Sequence, residues 1–241
     1  MKTTSTIFQQ IVQLFKTNKN DIITYIVLIL LQYIIELFPP LQMNVDQSDP
    51  NYLYPKESDT ITKDINVIFN KYLSVVIIIV VSIFRRKLDF CFNSLLAFFI
   101  GEATVGVLVQ SLKRISGRPR PYFNKVCLEK YKKSCNYSFP SGHTAYAFQA
   151  QIFCSLLFFQ IIKDSKMKKH FGIRMLGLLP LAWATFVGVS RFNDYHHSVS
   201  DIIFGVGIGV FCGACPFLVI KNKLFEKKNI ANDDYFALND M

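Results

Sequence analysis

Charge is scarce in this sequence. Only 18% of its 241 residues are Asp, Glu, Lys or Arg, against 51% hydrophobic residues that include 23 Phe. The mean hydropathy is +0.28. A chain of this size with so little polar surface is not an ordinary water-soluble domain. Internal repeats, low-complexity tracts and linkers are also missing, so nothing divides the chain into separate domains. No small-residue cleavage site follows the first apolar run. Phe38-Pro39-Pro40 reads instead as a helix stop, which makes that run a span rather than a signal peptide. Nor is there an acidic cluster of the kind that holds a divalent metal, so neither metal nor cofactor is expected.

What is abundant is long apolar sequence. Six segments stand out, roughly Ile22–Phe38, Ile65–Phe84, Phe90–Leu112, Thr144–Ile162, Ile173–Val189 and Ile202–Ile220. Their lengths suit the ~20 residues a helix needs to cross ~30 Å of hydrocarbon. The second is diluted by Asn66, Asn70 and Lys71. The expected fold is all-α, a polytopic membrane protein built as a six-transmembrane-helix bundle. Residues 1–241 form one integral membrane domain with its motif-bearing core at about 90–210, and 1–20 and 221–241 are cytoplasmic tails. Leu41–Asp64, rich in Asp and Glu, is an outer loop, and Asn229–Met241 is a polar tail without fixed structure.

A formal charge of +10 would point to nucleic acid in a soluble protein, but here its distribution sets orientation and no nucleic-acid partner is expected. With cytoplasmic termini, fifteen of the 27 basic residues fall on the inner face, among them Lys16, Lys19, Arg85, Arg86, Lys87, Lys163, Arg174, Lys221 and Lys223. Of the other twelve, five sit in or beside the polar motifs, where anion binding explains them. The remaining bias of fifteen to seven favours cytoplasmic termini.

Three polar clusters interrupt the apolar segments: Lys113 with Arg120-Pro121; Pro140-Ser141-Gly142-His143; and Ser190-Arg191 followed by His197 and Asp201. The first follows span three, the second precedes span four, and the third lies between spans five and six. In a six-span chain all three emerge on one side, extracellular or lumenal if the termini are cytoplasmic. Each residue has an ordinary reading by itself: Lys113 and Arg114 as interfacial anchors, His143 as a cap, Asp201 as a helix N-terminal charge. Together they supply three cations, two histidines, a hydroxyl and a carboxylate, an inventory suited to holding and attacking a tetrahedral oxyanion.

The three-part pattern Lys113-(six residues)-Arg120-Pro121, Pro140-Ser141-Gly142-His143 and Ser190-Arg191-(five residues)-His197-(three residues)-Asp201 resembles the signature of the type-2 phosphatidate phosphatase superfamily. Gly117-Arg118-Pro119-Arg120-Pro121, Ser138-Phe139 and Asp194-Tyr195-His196-His197 are similar to its eukaryotic lipid phosphate phosphatase branch. The resemblance implies a magnesium-independent lipid phosphate phosphatase acting through a phosphohistidine. The residue chemistry agrees. If His197 opens the sixth helix, Asp201 lies four residues on along one face and its carboxylate can accept a hydrogen bond from one ring nitrogen, leaving the other as nucleophile. The spacing of five points His196 away. His143, at a helix start, serves as general acid and base. Lys113, Arg120, Ser141, Arg191 and backbone N–H groups near Gly142 hold the phosphate, with Gly142 allowing close approach. The implied partners are a lipid phosphate substrate (phosphatidate, lysophosphatidate or sphingosine-1-phosphate type) and the bilayer, with a homo-oligomer left open. Isoprenyl pyrophosphate or sugar phosphatases of the same superfamily, and a non-catalytic lipid-phosphate binder, are the rival readings.

Four secondary features complete the reading. Cys127 and Cys135 could pair on an oxidising face. Asn136-Tyr137-Ser138 is a glycosylation sequon close to the membrane and the site. Cys212 and Cys215 within the last span read as packing. Glu36 and Glu102 lie within spans, where a hydrogen bond to a neighbouring helix is expected rather than catalysis.

Overall fold

The computed structural model describes residues 2–128, 132–163, 165 and 170–225. A first helix, α1 (Lys2–Thr17), is followed by six long enough and apolar enough to cross a membrane: α2 (Lys19–Leu37), α3 (Lys63–Arg85), α4 (Leu88–Ser116), α5 (Gly142–Lys163), α6 (Phe171–Asn193) and α7 (Val199–Phe225). There is no strand among the described residues. The six expected spans are therefore all present. Most of the 1–20 segment is helical, while most of the 221–241 segment lies outside the described residues, as do Lys166, Lys168 and Lys169. Asn18 breaks the helix between α1 and α2, and Lys223 near the end of α7 donates to its side-chain oxygen at 2.6 Å. The start of α2 and the end of α7 thus lie at the same end of the bundle.

α5 is the centre of the bundle and its most buried helix, whereas α2 has no buried residue and lies at the periphery against α4. α7 packs on α5 through three glycines one helical turn apart. A Cβ at Gly205, Gly209 or Gly213 would sit 2.7, 2.5 or 2.5 Å from the carbonyl oxygen of Ser141, Ala145 or Gln149. Small residues at this spacing let two backbones approach, the usual basis of tight helix pairing in lipid. The consequence is positional: the N-termini of α5 and α7, which carry His143 and Asp201, are held side by side. Below them Phe90, Phe98, Phe153 and Phe217 fill the core.

The polar residues that dilute the second span face inward. Asn70 Oδ1 accepts from Gln151 Nε2 at 3.0 Å and Trp183 Nε1 at 3.1 Å, tying α3 to α5 and α6 where α3 widens into a π-helical turn (Ile68–Tyr72). Lys71 pairs with Glu102 of α4 at 3.0 Å. Glu102 thus meets a neighbouring helix as expected. Glu36 does not: its carboxylate accepts from Gln32 within its own helix at 3.1 Å.

The loop between α2 and α3 folds back over the bundle end that carries the motifs. Arg114 clamps its start, donating to the carbonyls of Phe38 (2.9 Å) and Glu36 (3.1 Å), which satisfies two of the carbonyls left open where α2 ends. At the turn ending α4, Gly117 has φ +53°, and a side chain there would collide with the backbone of Leu41. Only glycine fits both demands.

Candidate active site

The residues of the three motifs meet at this end of the bundle. Ser141 N–H donates to the carbonyl of Asp201 at 2.9 Å, joining the second motif to the third. Lys113 Nζ reaches the Tyr137 carbonyl at 2.7 Å, and Arg120 donates through Nη1 to the His196 carbonyl at 3.1 Å and through Nε to Ser134 at 3.0 Å. Arg191 is fully buried at the C-terminal end of α6. Its carbonyl accepts from the N–H groups of both His196 (3.1 Å) and His197 (3.3 Å). This wraps the loop around the arginine, helped by Tyr195 in a left-handed conformation at φ 55°. A non-glycine residue held there is a modest strain maintained by its surroundings, in this case a ring stack on Tyr54 at 4.9 Å.

Two ring nitrogens in this cluster, His143 Nε2 and His197 Nδ1, are buried with no protein hydrogen-bond partner. Buried polar atoms are nearly always satisfied, so the orphaned His143 Nε2 beside three cations marks a place built for something else, whereas His197 Nδ1 is the nitrogen turned to Asp201. The first-turn N–H groups of α5 lack intrahelical partners by the geometry of any helix start and add further donors. A Cβ on Gly142 would rest 3.5 Å from Val109 and 3.9 Å from Lys113 Cε, ordinary contact distances. No protein atom therefore requires glycine there, and what its bareness leaves open is space beside Lys113.

His197 and Asp201 differ from the expected arrangement in two respects. His197 does not open the last helix but lies two residues before its first residue, Val199. Its Nδ1 is 3.7 Å from Asp201 Oδ2, too long for a hydrogen bond. That oxygen is already engaged by Ser138 Oγ (2.6 Å) and Ser198 N–H (2.9 Å), and Arg118 Nη1 holds the other at 2.9 Å. His196 faces elsewhere: Nδ1 lies 2.8 Å from the Asp194 carbonyl and Nε2 3.1 Å from Asp59. Ser141 Oγ is 2.9 Å from Thr144 Oγ1.

Four contributors were not assigned from sequence: Arg118 and Ser138 on Asp201, Asp194 on Arg191 Nη2 at 2.7 Å, and Asp59 on Arg191 Nη1 at 2.6 Å. The first three lie inside the motif surroundings and could have been found there. Asp59 is 132 residues from Arg191 and carries no local signal. Cys127 and Cys135 form a disulfide beside the Cys135 carbonyl that accepts from Arg120 N–H. Asn136 is buried, and Ser138 spends its hydroxyl on Asp201, so in this fold the sequon has no room for a glycan. Cys212 and Cys215 are unpaired within α7, with Cys212 packed in the core.

Burial pulls the His197 imidazole well below its ordinary value of 6.5, and the charges of Arg120 and Lys113 add to this, outweighing the opposing influence of Asp201. His196 is shifted the same way, chiefly by burial. A histidine with a depressed folded-state value stays neutral in the native protein while the unfolded chain takes up its proton near pH 6.5. Stability is therefore intact above about pH 6.5 and falls as pH drops below it, by at most about 1.4 kcal/mol per pH unit for each such group. The melting temperature in detergent should decline between about pH 6.5 and pH 5, and His197→Gln should flatten that decline. A flat profile for the unaltered protein over this range would show that His197 is not buried as a neutral ring.

Residues 92–225 match the PAP2 superfamily. The chain belongs to that family. It is similar to lipid phosphate phosphatase 1 of Arabidopsis thaliana, at 27% identity over 216 residues, covering 82% of this chain and 66% of the relative. The probable lipid phosphate phosphatase 4 of the same plant is 27% identical over 204 residues, 77% of this chain and 66% of the relative. The probable diacylglycerol pyrophosphate phosphatase 1 of Schizosaccharomyces pombe is 29% identical over 163 residues, 59% of this chain and 57% of its own length. The chain thus spans a little under two thirds of the relatives named first. No solved structure matches it with statistical significance. With six helices of spanning length, this member of the PAP2 superfamily is an integral membrane protein.

Proposed function

We propose that the chain, as one domain over residues 1–241, is a lipid phosphate phosphatase that hydrolyses phosphate monoesters through a covalent phosphohistidine, without a metal. The observation that carries this reading is the meeting of Lys113, Arg120, Arg191, His143 and His197 at one end of an apolar six-helix bundle, with His143 Nε2 buried without a protein partner. The substrate phosphate sits among the three cations, the Ser141 hydroxyl and the first N–H groups of α5, which neutralise its equatorial oxygens. His197, with Nδ1 turned to Asp201, attacks phosphorus through Nε2. The P–O bond to the lipid breaks and the departing alkoxide takes a proton from His143. His143 then removes a proton from water, which attacks the phosphohistidine, breaks the P–N bond and restores His197. Positive charge on the ring draws in the Asp201 carboxylate, for catalytic hydrogen bonds commonly tighten only when the reacting charge develops.

A lipid substrate is favoured by an apolar groove of about 420 Å³ between α4 and α7, lined by Leu108, Ile203, Phe204, Gly207, Ile208 and Phe211. Its upper end is Phe204, three residues from Asp201 and in ring contact with Phe139 at 4.8 Å. A headgroup at the cations can leave its tail there. Phosphatidate, lysophosphatidate and sphingosine-1-phosphate all fit this description, and the name of the fission yeast relative makes diacylglycerol pyrophosphate the second substrate to try. With the termini cytoplasmic, the site faces the extracellular or lumenal side.

Phosphate release from this panel by the detergent-purified protein tests the reading. Release should persist nearly unchanged in excess chelator, because Asp59, Asp194 and Asp201 are each committed to arginine. In sealed cells bearing the protein at their surface, a membrane-impermeant short-chain substrate added outside should be hydrolysed. No release from any lipid phosphate refutes the function, activity silenced by chelator and restored by magnesium refutes the mechanism, and hydrolysis only after permeabilisation refutes the orientation.

A further inference from the structure

The loop between α2 and α3 places a carboxylate where the phosphate is expected. One oxygen of Asp59 is 2.6 Å from Arg191 Nη1 and 3.1 Å from His196 Nε2, and its charge is felt by His143 and Arg120. Among the described residues it is the one acidic group that reaches these four side chains from outside the helix bundle, and its side chain is 44% exposed. The neighbouring chain is fastened down. Thr60 donates its N–H and hydroxyl to Asp194 at 2.8 and 2.6 Å, Tyr54 N–H donates to the Pro121 carbonyl at 3.2 Å, and Ile61 is buried. Residues 54–61 thus form a strap across the mouth of the site, with Asp59 as its tongue.

The same Asp59 oxygen meets both partners: Arg191 Nη1 at 2.6 Å and, at 3.1 Å, Nε2 of the His196 ring, whose other nitrogen faces the Asp194 carbonyl and so fixes the ring against the carboxylate.

We propose that Asp59 is an intramolecular competitor for the phosphate site, a tethered carboxylate that occupies Arg191 in the free enzyme and must be displaced before substrate phosphate binds. This rests on the functional reading above. A dianionic phosphate cannot share Arg191 with Asp59 at contact distance without strong like-charge repulsion, so the two states exclude each other. After hydrolysis the tongue returns to Arg191 as free phosphate leaves, keeping the buried guanidinium neutralised at every stage. A competitor of this kind divides the intrinsic affinity of every anion by the same factor, whatever the anion.

That common factor is the test. In the full-length protein, Asp59→Asn should lower the KM for lysophosphatidate and the inhibition constants for vanadate and inorganic phosphate together, each by about fivefold, or roughly 1 kcal/mol for a half-exposed ion pair. Thr60→Ala, which loosens the strap without touching Arg191, should move the three constants in the same direction by less. Glu57→Gln, an exposed charge on the same loop, should move none. Inorganic phosphate affinity is also read from thermal stabilisation of the protein, which needs no turnover. An unaltered protein that binds phosphate more weakly than the Asp59→Asn variant but releases none from lipid would refute the phosphatase reading and leave the competitor standing. Constants unchanged in Asp59→Asn, or a fall in kcat/KM, would overturn the proposal, the latter showing that Asp59 positions Arg191.

Discussion

Replacing His197 with Gln lowers phosphate release by about three orders of magnitude or more, since without the nucleophile only binding and charge neutralisation remain. The chemistry of the intermediate gives a sharper readout than the rate. A phosphorus–nitrogen bond survives alkali and breaks in acid, so protein quenched in alkali during turnover of a phosphorus-labelled substrate should retain label on the chain. The label should be absent from His197→Gln. It should accumulate in His143→Gln on substrates with good leaving groups, because those depart unaided while the water that clears the intermediate still needs a base. His196→Gln should still be labelled, for that ring faces Asp59 and the Asp194 carbonyl rather than Asp201. Label lost with His196 and kept without His197 would move the nucleophile by one position. Label absent from the unaltered enzyme, with turnover intact, would replace the covalent route with direct attack by water.

The helices were legible because spans of lipid-crossing length have a composition that little else shares, and the grouping of the motifs followed from counting spans. What the sequence conveyed less well was everything that depends on competition for a hydrogen bond. The four-residue spacing of His197 and Asp201 suggested a shared helix face, but His197 lies before the helix and the two groups stand 3.7 Å apart. It could not reveal that Ser138, Ser198 and Arg118 already hold the carboxylate and keep it 3.7 Å from the ring. Asn66, Asn70 and Lys71 were visible as a dilution of the second span. Their meaning, an inward face bonded to Gln151, Trp183 and Glu102, depended on which neighbours α3 would have. The acidic loop was recognisable as a loop, but nothing local distinguishes Asp59 from Asp46, Asp49 or Asp64. Only the return of the chain over the bundle end selects it.

Exchanging Arg191 for Lys should reduce turnover by about a hundredfold, the usual cost of losing one charge-stabilising donor in a site closed to water. It is the other change with a large expected effect. Charge is kept, so the loss measures geometry. A guanidinium presents its donors in a fixed fork, and here two arms are already held by Asp194 and Asp59 at 2.7 and 2.6 Å, whereas one ammonium cannot hold Asp194 and face the phosphate at the same angle. Vanadate separates binding from catalysis. It takes the five-coordinate shape that phosphorus passes through, with its oxygens in the equatorial plane, and can bond to a histidine nitrogen. If Arg191 acts mainly on that plane, Arg191→Lys should weaken vanadate inhibition by about the factor lost from kcat/KM, and inorganic phosphate, which is tetrahedral, by much less. Because Arg191 is fully buried between carboxylates, a melting curve in detergent must first show the variant folded. Equal weakening of vanadate and phosphate in a folded variant would make Arg191 a ground-state anchor and move transition-state stabilisation to Lys113 and Arg120.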